Sequence, residues 1–180
     1  DFNVETVFKR GKVIFDGEVK EFEIPAADDR LIEKCHNTFC LNEVMPDSLK
    51  VDGKLGLIGL VSGELLTHNL GTADKIDVES DILKIACIER HKNTNHIGVG
   101  YVKGYSLKSG VVATSVAHDS HNIIATGTND DDIFMAVNEL IKQEGGAVVV
   151  KDEKVISRME LKIAGLMCNL PAEKMIAQQD

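Results

Sequence analysis

Short apolar runs with the alternation of β-strands recur along most of this chain, separated by glycine, asparagine and aspartate. Alternation favours strands that bury one face, and turn residues between such runs indicate tight connections. The runs that fit this pattern are residues 4–9, 12–15, 55–61, 65–69, 82–88, 97–105, 110–117, 122–126, 147–150 and 154–161. Residues 21–46 fit no single type. Many strands and few helices are typical of an α+β fold with mixed or antiparallel sheets.

The clearest helix signal follows the strand-like run 122–126. Thr128 or Asn129 can cap a helix, and aspartates at 130–132 place negative charge near the positive end of its dipole. Apolar residues at helical spacing then predict a helix over residues 131–143, which Gly145 and Gly146 end. Pro171 predicts the start of a short final helix over residues 172–178.

Charge and cysteine usage restrict the function classes. The formal net charge is −9, which disfavours nucleic acid as a partner because that affinity depends on basic residues that neutralise phosphates. The apolar runs are too short to span a bilayer, so no membrane role is expected. The opening residues show no signal-peptide pattern, and the cysteines are scattered without a C-x-x-C pair. These features predict a cytoplasmic protein with free thiols.

The most unusual segment is the polar string His118-Asp119-Ser120-His121-Asn122, which lies between two apolar strands. Polar side chains are costly to bury without partners, so the string belongs at a strand end or in a paired network. Histidine and aspartate suit metal binding or proton transfer near neutral pH. Alternatively, Asp119 and Asn122 hold a turn through side-chain bonds to the backbone. The residue types alone leave both interpretations open.

A second candidate, Glu89-Arg90-His91, follows the strand-like run 82–88. On residue types alone we expect a solvated loop that contains a Glu89–Arg90 pair. No G-x-G-x-x-G motif precedes a helix, and the zinc signature of nucleotide deaminases, H-x-E with P-C-x-x-C, does not occur. No two histidines lie two residues apart, so the chain has no H-x-H metal pair.

Several further strings matter together with these two: residues 88–91, 98–104, 115–124, 127–130, 136–138, 145–146, 148–151 and 163–167. In this order they resemble the C-terminal region of bacterial and archaeal adenine deaminases, members of the amidohydrolase superfamily. The match extends from about residue 81 to residue 175, and the string A-H-D-S-H-N is its most specific part. The opening strand pair is similar to the strands that return from a barrel to a small β-sandwich in that superfamily. Cys168 stands where the family commonly has serine.

The resemblance implies a division into residues 1–20, returning strands of the β-sandwich, and residues 21–180, the C-terminal domain. It implies hydrolysis of adenine to hypoxanthine and ammonia, a purine salvage reaction, with a divalent metal (Mn, Fe or Zn) in a separate barrel domain. A barrel needs about 250 residues. The chain also begins within a strand-like run and without methionine. We therefore expect a fragment that is inactive alone and completes or covers the active site of its barrel.

The resemblance also implies site residues. His118, Asp119 and His121 are predicted to be catalytic, and His118 and His121 could contact a metal, although the chain holds no complete metal site. Substrate binding is predicted for Asn122, Ser120, Glu89, Arg90 and His91. The predicted partners are adenine and the barrel domain, and a homo-oligomer is compatible with the sequence.

Two alternatives remain open. One is a stand-alone binding or interaction module that keeps the fold without the chemistry. The other is a small metal-binding protein that uses His118 and His121.

Overall fold

The structure is a computed structural model that describes residues 3–20, 26 and 28–179. The chain divides into two compact units, Asp1–Ile32 and Glu33–Asp180. The predicted boundary after residue 20 stays a prediction, and within the segment 21–46 residues 21–25 and 27 lie outside the described residues, as do residues 1 and 2 of the strand-like opening.

The first unit contains an antiparallel strand pair. Strand β1 is Val7–Lys9 and strand β2 is Lys12–Phe15, with Lys9 opposite Lys12. Arg10 and Gly11 join them at φ values of 50° and 76°, and two consecutive left-handed residues match the twist of a tight hairpin. The predicted strand pair and its turn are confirmed, whereas its membership of a β-sandwich remains a prediction.

The second unit is built on a mixed sheet. Its strands, within the described ranges, form one eight-stranded sheet in the order β10-β9-β7-β8-β5-β6-β3-β4, and the β3–β6 pair is parallel. The strands are β3 Leu55–Leu60, β4 Thr67–Ala73, β5 Leu83–Ile88, β6 Ile97–Lys103, β7 Val111–Thr114, β8 Ile123–Gly127, β9 Gly146–Lys151 and β10 Lys154–Glu160. The helices are α1 Asp29–Cys35, which crosses the boundary between the units, α2 Asp130–Lys142 and α3 Ala172–Gln179, with a 3-10 turn at Pro46–Leu49. This architecture confirms the α+β class.

Helix α2 covers one face of the sheet and makes the core. Its apolar stripe, including Ile133, Val137 and Leu140, is fully buried against the inward residues of β7, β8 and β9. The Asn129 side chain accepts a hydrogen bond from the backbone N–H of Asp132 at 2.8 Å, which satisfies one free donor of the first turn. The predicted helix is confirmed, and Asn129 is its cap.

The strand-like runs 147–150 and 154–161 form the β9–β10 hairpin, which turns at Asp152-Glu153. Both residues are left-handed, at φ values of 51° and 54°, as a two-residue hairpin turn requires. The buried carboxylate of Asp132 accepts a hydrogen bond from the backbone N–H of Glu153 at 2.8 Å. Asp132 therefore ties the first turn of α2 to the hairpin.

None of the helices in the described ranges combines the length and the apolar character needed to cross a membrane.

Candidate functional site at one edge of the sheet

The strand register brings the two polar strings of the sequence to the same edge of the sheet. Ile88, the last residue of β5, pairs with Ile123, the first residue of β8, and with Ile97 at the start of β6. The β5–β6 connection that begins with Glu89 therefore lies beside the β7–β8 connection that contains residues 117–122. We call residues 117–122 the polar loop.

Hydrogen bonds within the backbone fold the polar loop back on itself. The N–H of His121 donates to the carbonyl of Ala117 at 2.9 Å, and the N–H of Ser120 donates to the carbonyl of His118 at 2.9 Å. Asp119 and His121 have φ values of 67° and 50°. Non-glycine residues adopt this left-handed region at a cost, which surrounding contacts must offset. The loop is thus a defined, strained turn.

His118 and Asp119 project from this turn into solvent. Their side chains are 71% and 89% exposed, and Nδ1 of His118 lies 3.3 Å from a carboxylate oxygen of Asp119. A carboxylate at this distance can orient an imidazole, and an imidazole exchanges protons near neutral pH. The pair can therefore hold or pass a proton at the surface of the loop.

The other side chains of the loop serve partly local contacts. Ser120 is exposed and its hydroxyl accepts a hydrogen bond from the N–H of Asn122 at 3.3 Å. Nδ2 of Asn122 lies 3.8 Å from Sγ of Cys87. The buried Oδ1 of Asn122 has no hydrogen-bond donor within the described part of the chain. His121 is half-buried.

Arg90 lies under the polar loop rather than in solvent. It is 1% exposed, and its guanidinium donates to the carbonyl of His121 at 2.5 Å and to the carbonyl of Ala164 at 3.0 Å. A longer contact of 3.5 Å reaches the hydroxyl of Thr38, and the guanidinium carbon stacks 4.5 Å from the ring centroid of Phe39. Burial lowers the pKa of Arg90 from its ordinary value, but arginine stays charged at neutral pH. The expectation of a solvated Glu89–Arg90 pair is wrong, because carbonyl oxygens surround this cation instead.

The Glu89 carboxylate organises its own connection. It accepts hydrogen bonds from the backbone N–H groups of His91, Lys92 and Thr94 and from the Thr94 hydroxyl. Desolvation by itself would raise the pKa of Glu89, but these donors together outweigh it and lower the pKa to about 2. Glu89 is therefore ionised at neutral pH and holds the loop that presents His91.

His91 reaches across to the polar loop. Its Nε2 lies 2.9 Å from the carbonyl oxygen of Ser120. A carbonyl oxygen can only accept, so Nε2 carries the proton in this contact. The exposed His91 ring thus bridges the two connections.

Sequence reasoning did not single out the residues that surround Arg90. Gly165 has a φ of 71°, and a Cβ there would lie 2.8 Å from the Phe39 ring and 3.1 Å from the Arg90 guanidinium carbon. The buried hydroxyl of Ser115 donates to the Gly165 carbonyl at 2.6 Å and accepts from the N–H of Gly146 at 2.8 Å. Gly165 directly follows Ala164, whose carbonyl Arg90 binds. This glycine is the signal in the sequence that marks the site, but it can be recognised as one only when the fold is known.

A pocket of about 290 Å³ lies near the same edge, between residues 41–48 and the ends of β5 and β6. Ile88 and Ile97 give it apolar surface, and Glu89 and Asn95 add polar atoms. Its volume is near the lower end of small-ligand sites, about 300 Å³. Residues 118–122 do not line it, so the pocket and the polar loop are separate features.

The described residues do not fit a metal centre. Across residues 3–20, 26 and 28–179, no three His, Cys, Asp or Glu side chains converge in a way that could hold an ion. His118 and Asp119 supply two donors on an exposed turn, whereas a protein metal site usually needs three or four. A metal ion would need further ligands from elsewhere.

Comparison with known proteins decides the family. The family model described as the adenine deaminase C-terminal domain matches residues 64–180. This chain belongs to that family. The resemblance predicted from the string Ala117–Asn122 and its flanking motifs is thereby confirmed.

Relatives extend the likeness of this adenine deaminase C-terminal domain to the whole chain. The adenine deaminase of Ligilactobacillus salivarius is 52% identical over an alignment that covers 100% of this chain and 32% of the relative. Adenine deaminase 2 of Carboxydothermus hydrogenoformans is 39% identical, covering 93% and 30% respectively. The adenine deaminase of Lysinibacillus sphaericus is 36% identical, covering 94% and 31%. The chain therefore spans about a third of the length of these relatives.

Proposed function

We propose that this chain is the C-terminal part of an adenine deaminase that hydrolyses adenine to hypoxanthine and ammonia. In that reaction the oxygen of water bonds to C6 of the purine, the bond from C6 to the amino nitrogen breaks, and ammonia leaves. The observation that supports this proposal most strongly is the 52% identity, along the whole chain, to the adenine deaminase of Ligilactobacillus salivarius. The free cysteines support a reducing, cytoplasmic location.

The proposal divides the work between this chain and a barrel domain elsewhere in the polypeptide. We assign the metal of the full protein, Mn, Fe or Zn, to that barrel, since the described residues supply no group of three metal ligands. A bound divalent metal supplies a hydroxide nucleophile by lowering the pKa of water. In this proposal adenine and the barrel are the partners of the chain.

The polar loop is the element that we assign to the active-site cleft. His118 is exposed and paired with Asp119, and an imidazole beside a carboxylate can exchange protons with a substrate near neutral pH. His121 is the second catalytic candidate. Ser120 and Asn122 carry the hydrogen-bonding groups suited to a purine, and carboxamides pair well with adenine. Arg90 and His91 contact the same loop, and Glu89 holds the connection that carries them.

The test is kinetic and uses the full-length protein. His118→Ala and His121→Ala are each expected to lower kcat/KM for adenine by at least about tenfold, since positioned acid–base groups contribute about 10²–10⁴-fold. His96→Ala is the control, because His96 is also exposed but lies outside the polar loop. Unchanged kinetics in both loop variants would end the catalytic assignment. A full-length protein without adenine deaminase activity would favour the non-catalytic binding module instead.

A further inference from the structure

We infer that Arg90 and His91 are positioning residues, which fix the conformation of the polar loop instead of contacting adenine. Two consecutive side chains hold two consecutive carbonyls: His91 binds the carbonyl of Ser120 at 2.9 Å and Arg90 binds that of His121 at 2.5 Å. We call this pair of contacts the loop clamp. Its consequence for catalysis rests on the proposed function, whereas the clamp itself does not.

The surroundings of Arg90 exclude direct substrate contact in this conformation. With 1% of its surface exposed, the guanidinium is enclosed by Phe39 and the carbonyls of His121 and Ala164. A buried cation is costly to desolvate, and among the described residues no carboxylate compensates it. Carbonyl dipoles and the ring face take that role, which fixes the guanidinium plane and, with it, the carbonyl of His121.

The polar loop needs an external constraint. Its internal backbone bonds, from Ser120 to His118 and from His121 to Ala117, close the turn but leave left-handed φ values at Asp119 and His121. A strained turn relaxes unless neighbouring groups over-determine it. The clamp binds the carbonyls of Ser120 and His121, so it restrains the part of the loop that contains the strained residues.

Glu89 completes the arrangement by fixing the donor side. Its carboxylate accepts hydrogen bonds from the backbone N–H of His91 at 2.5 Å and from that of Lys92 at 3.0 Å. These bonds fix the start of the β5–β6 connection, from which the His91 imidazole extends to the polar loop. The strand register places both connections at the same sheet edge. The end of strand β5 thus positions Glu89, Arg90 and His91, and the side chains of Arg90 and His91 in turn hold the polar loop, which presents His118.

The experiment compares variants of the two clamp residues in the full-length protein. His91→Leu removes the donor, His91→Gln keeps an N–H donor, and Arg90→Lys keeps the charge but loses the fork. Hydrogen exchange is measured at the amides of Ser120 and His121, together with kcat, KM and the unfolding temperature. His96→Leu is the matched control, since it makes the same change at another exposed histidine of the same connection.

His91→Leu is expected to speed exchange at both amides by about fivefold, as loss of one ordinary hydrogen bond implies. Arg90→Lys is expected to speed it by at least about tenfold, because hydrogen bonds from a charged donor are the stronger ones. His91→Gln and His96→Leu should stay close to the wild type. A positioning role further predicts that kcat falls in His91→Leu with little change in KM or unfolding temperature.

The outcomes separate this inference from the proposed function. Unchanged exchange in both His91→Leu and Arg90→Lys overturns the clamp, whatever the kinetics. Faster exchange with unchanged kcat supports the clamp and refutes its consequence for catalysis, whereas the catalytic role of the polar loop is tested separately by His118→Ala and His121→Ala. A large rise in KM for His91→Leu with unchanged exchange would make His91 a substrate ligand and overturn the inference. Because His91 is exposed, its variants test the clamp even if Arg90→Lys fails to fold.

Discussion

Replacing Gly165 by alanine tests the packing around Arg90 directly. The φ of Gly165 is 71°, and a Cβ would lie 2.8 Å from Cε2 of Phe39 and 3.1 Å from Cζ of Arg90. The guanidinium cannot move away easily, because it donates to the carbonyls of His121 and Ala164. The added methyl group must therefore displace the Phe39 ring, the Arg90 fork or the loop that contains Gly165.

Two effects set the magnitude. A left-handed φ costs an L-residue about 1–2 kcal/mol relative to glycine, and overpacking a filled site costs about 1–3 kcal/mol more. Gly165→Ala should thus lower the free energy of unfolding by about 2–5 kcal/mol, the sum of these two costs. Gly63 provides the matched control, because its φ is 77° and nothing lies within 4 Å of the position that a Cβ would occupy. Gly63→Ala should show the backbone cost alone, about 1–2 kcal/mol.

The assay is urea unfolding of both variants and the wild type, followed by circular dichroism. The difference between the two alanine variants isolates the steric contribution of the Arg90 site. If Gly165→Ala is no more destabilising than Gly63→Ala, the close packing of Phe39, Arg90 and Gly165 is refuted. Equal m-values in the three proteins would show that a shift of the urea midpoint is a change in stability.

Two further predictions concern the helix cap and the Glu89 carboxylate. Asn129→Ala should lower the free energy of unfolding by about 1 kcal/mol, because the N–H of Asp132 loses its acceptor. Asn129→Ser keeps an acceptor and places no second carboxylate beside that of Asp132, to which Nδ2 of Asn129 donates at 2.9 Å, so it should be less destabilised than Asn129→Ala. Equal losses in both variants would contradict the cap. The pKa of Glu89 is lowered from 4.5 to about 2, so its stabilising contribution should be complete above pH 4.5 and be lost as the pH falls towards 2. Glu89→Gln should therefore be less stable than the wild type in urea unfolding at neutral pH. If the difference in unfolding free energy between the two proteins does not shrink as the pH falls from 4.5 towards 2, the stabilising role of the Glu89 carboxylate is contradicted.

Local patterns were sufficient where the chain builds its elements from neighbouring residues. Helix α2 was predicted at 131–143 and occurs at Asp130–Lys142, because the cap, the first-turn aspartates and the apolar stripe lie in one continuous segment. The predictions were less accurate where pairing decides the limits of a strand. Strand β4 was predicted at 65–69 but spans Thr67–Ala73; its residues are mostly exposed, so β3 determines its length by hydrogen bonding rather than by an apolar pattern.

In the polar loop, too, the sequence predicted the local features but not the contacts with distant residues. Its unusual composition was visible, and its place between two strands was correct. The surroundings of Arg90 were not predictable, because Phe39, His121 and Ala164 lie far from it in sequence and meet it only through the register of the sheet and the loops at its edge. A charged residue in a polar string is normally expected in solvent. Burial against carbonyl groups of distant segments leaves no local signal.

The order of the amino acids was enough to establish the α+β class, the family, the main helix with its cap, and the string that forms the polar loop. These follow from periodicity, capping chemistry and short-range order, which adjacent residues encode. The tertiary structure alone determined which side chains face solvent and which are enclosed at the sheet edge that carries the polar loop. That outcome depends on strand register and on contacts between distant segments, so Arg90 became a buried support while His118 and Asp119 stayed exposed.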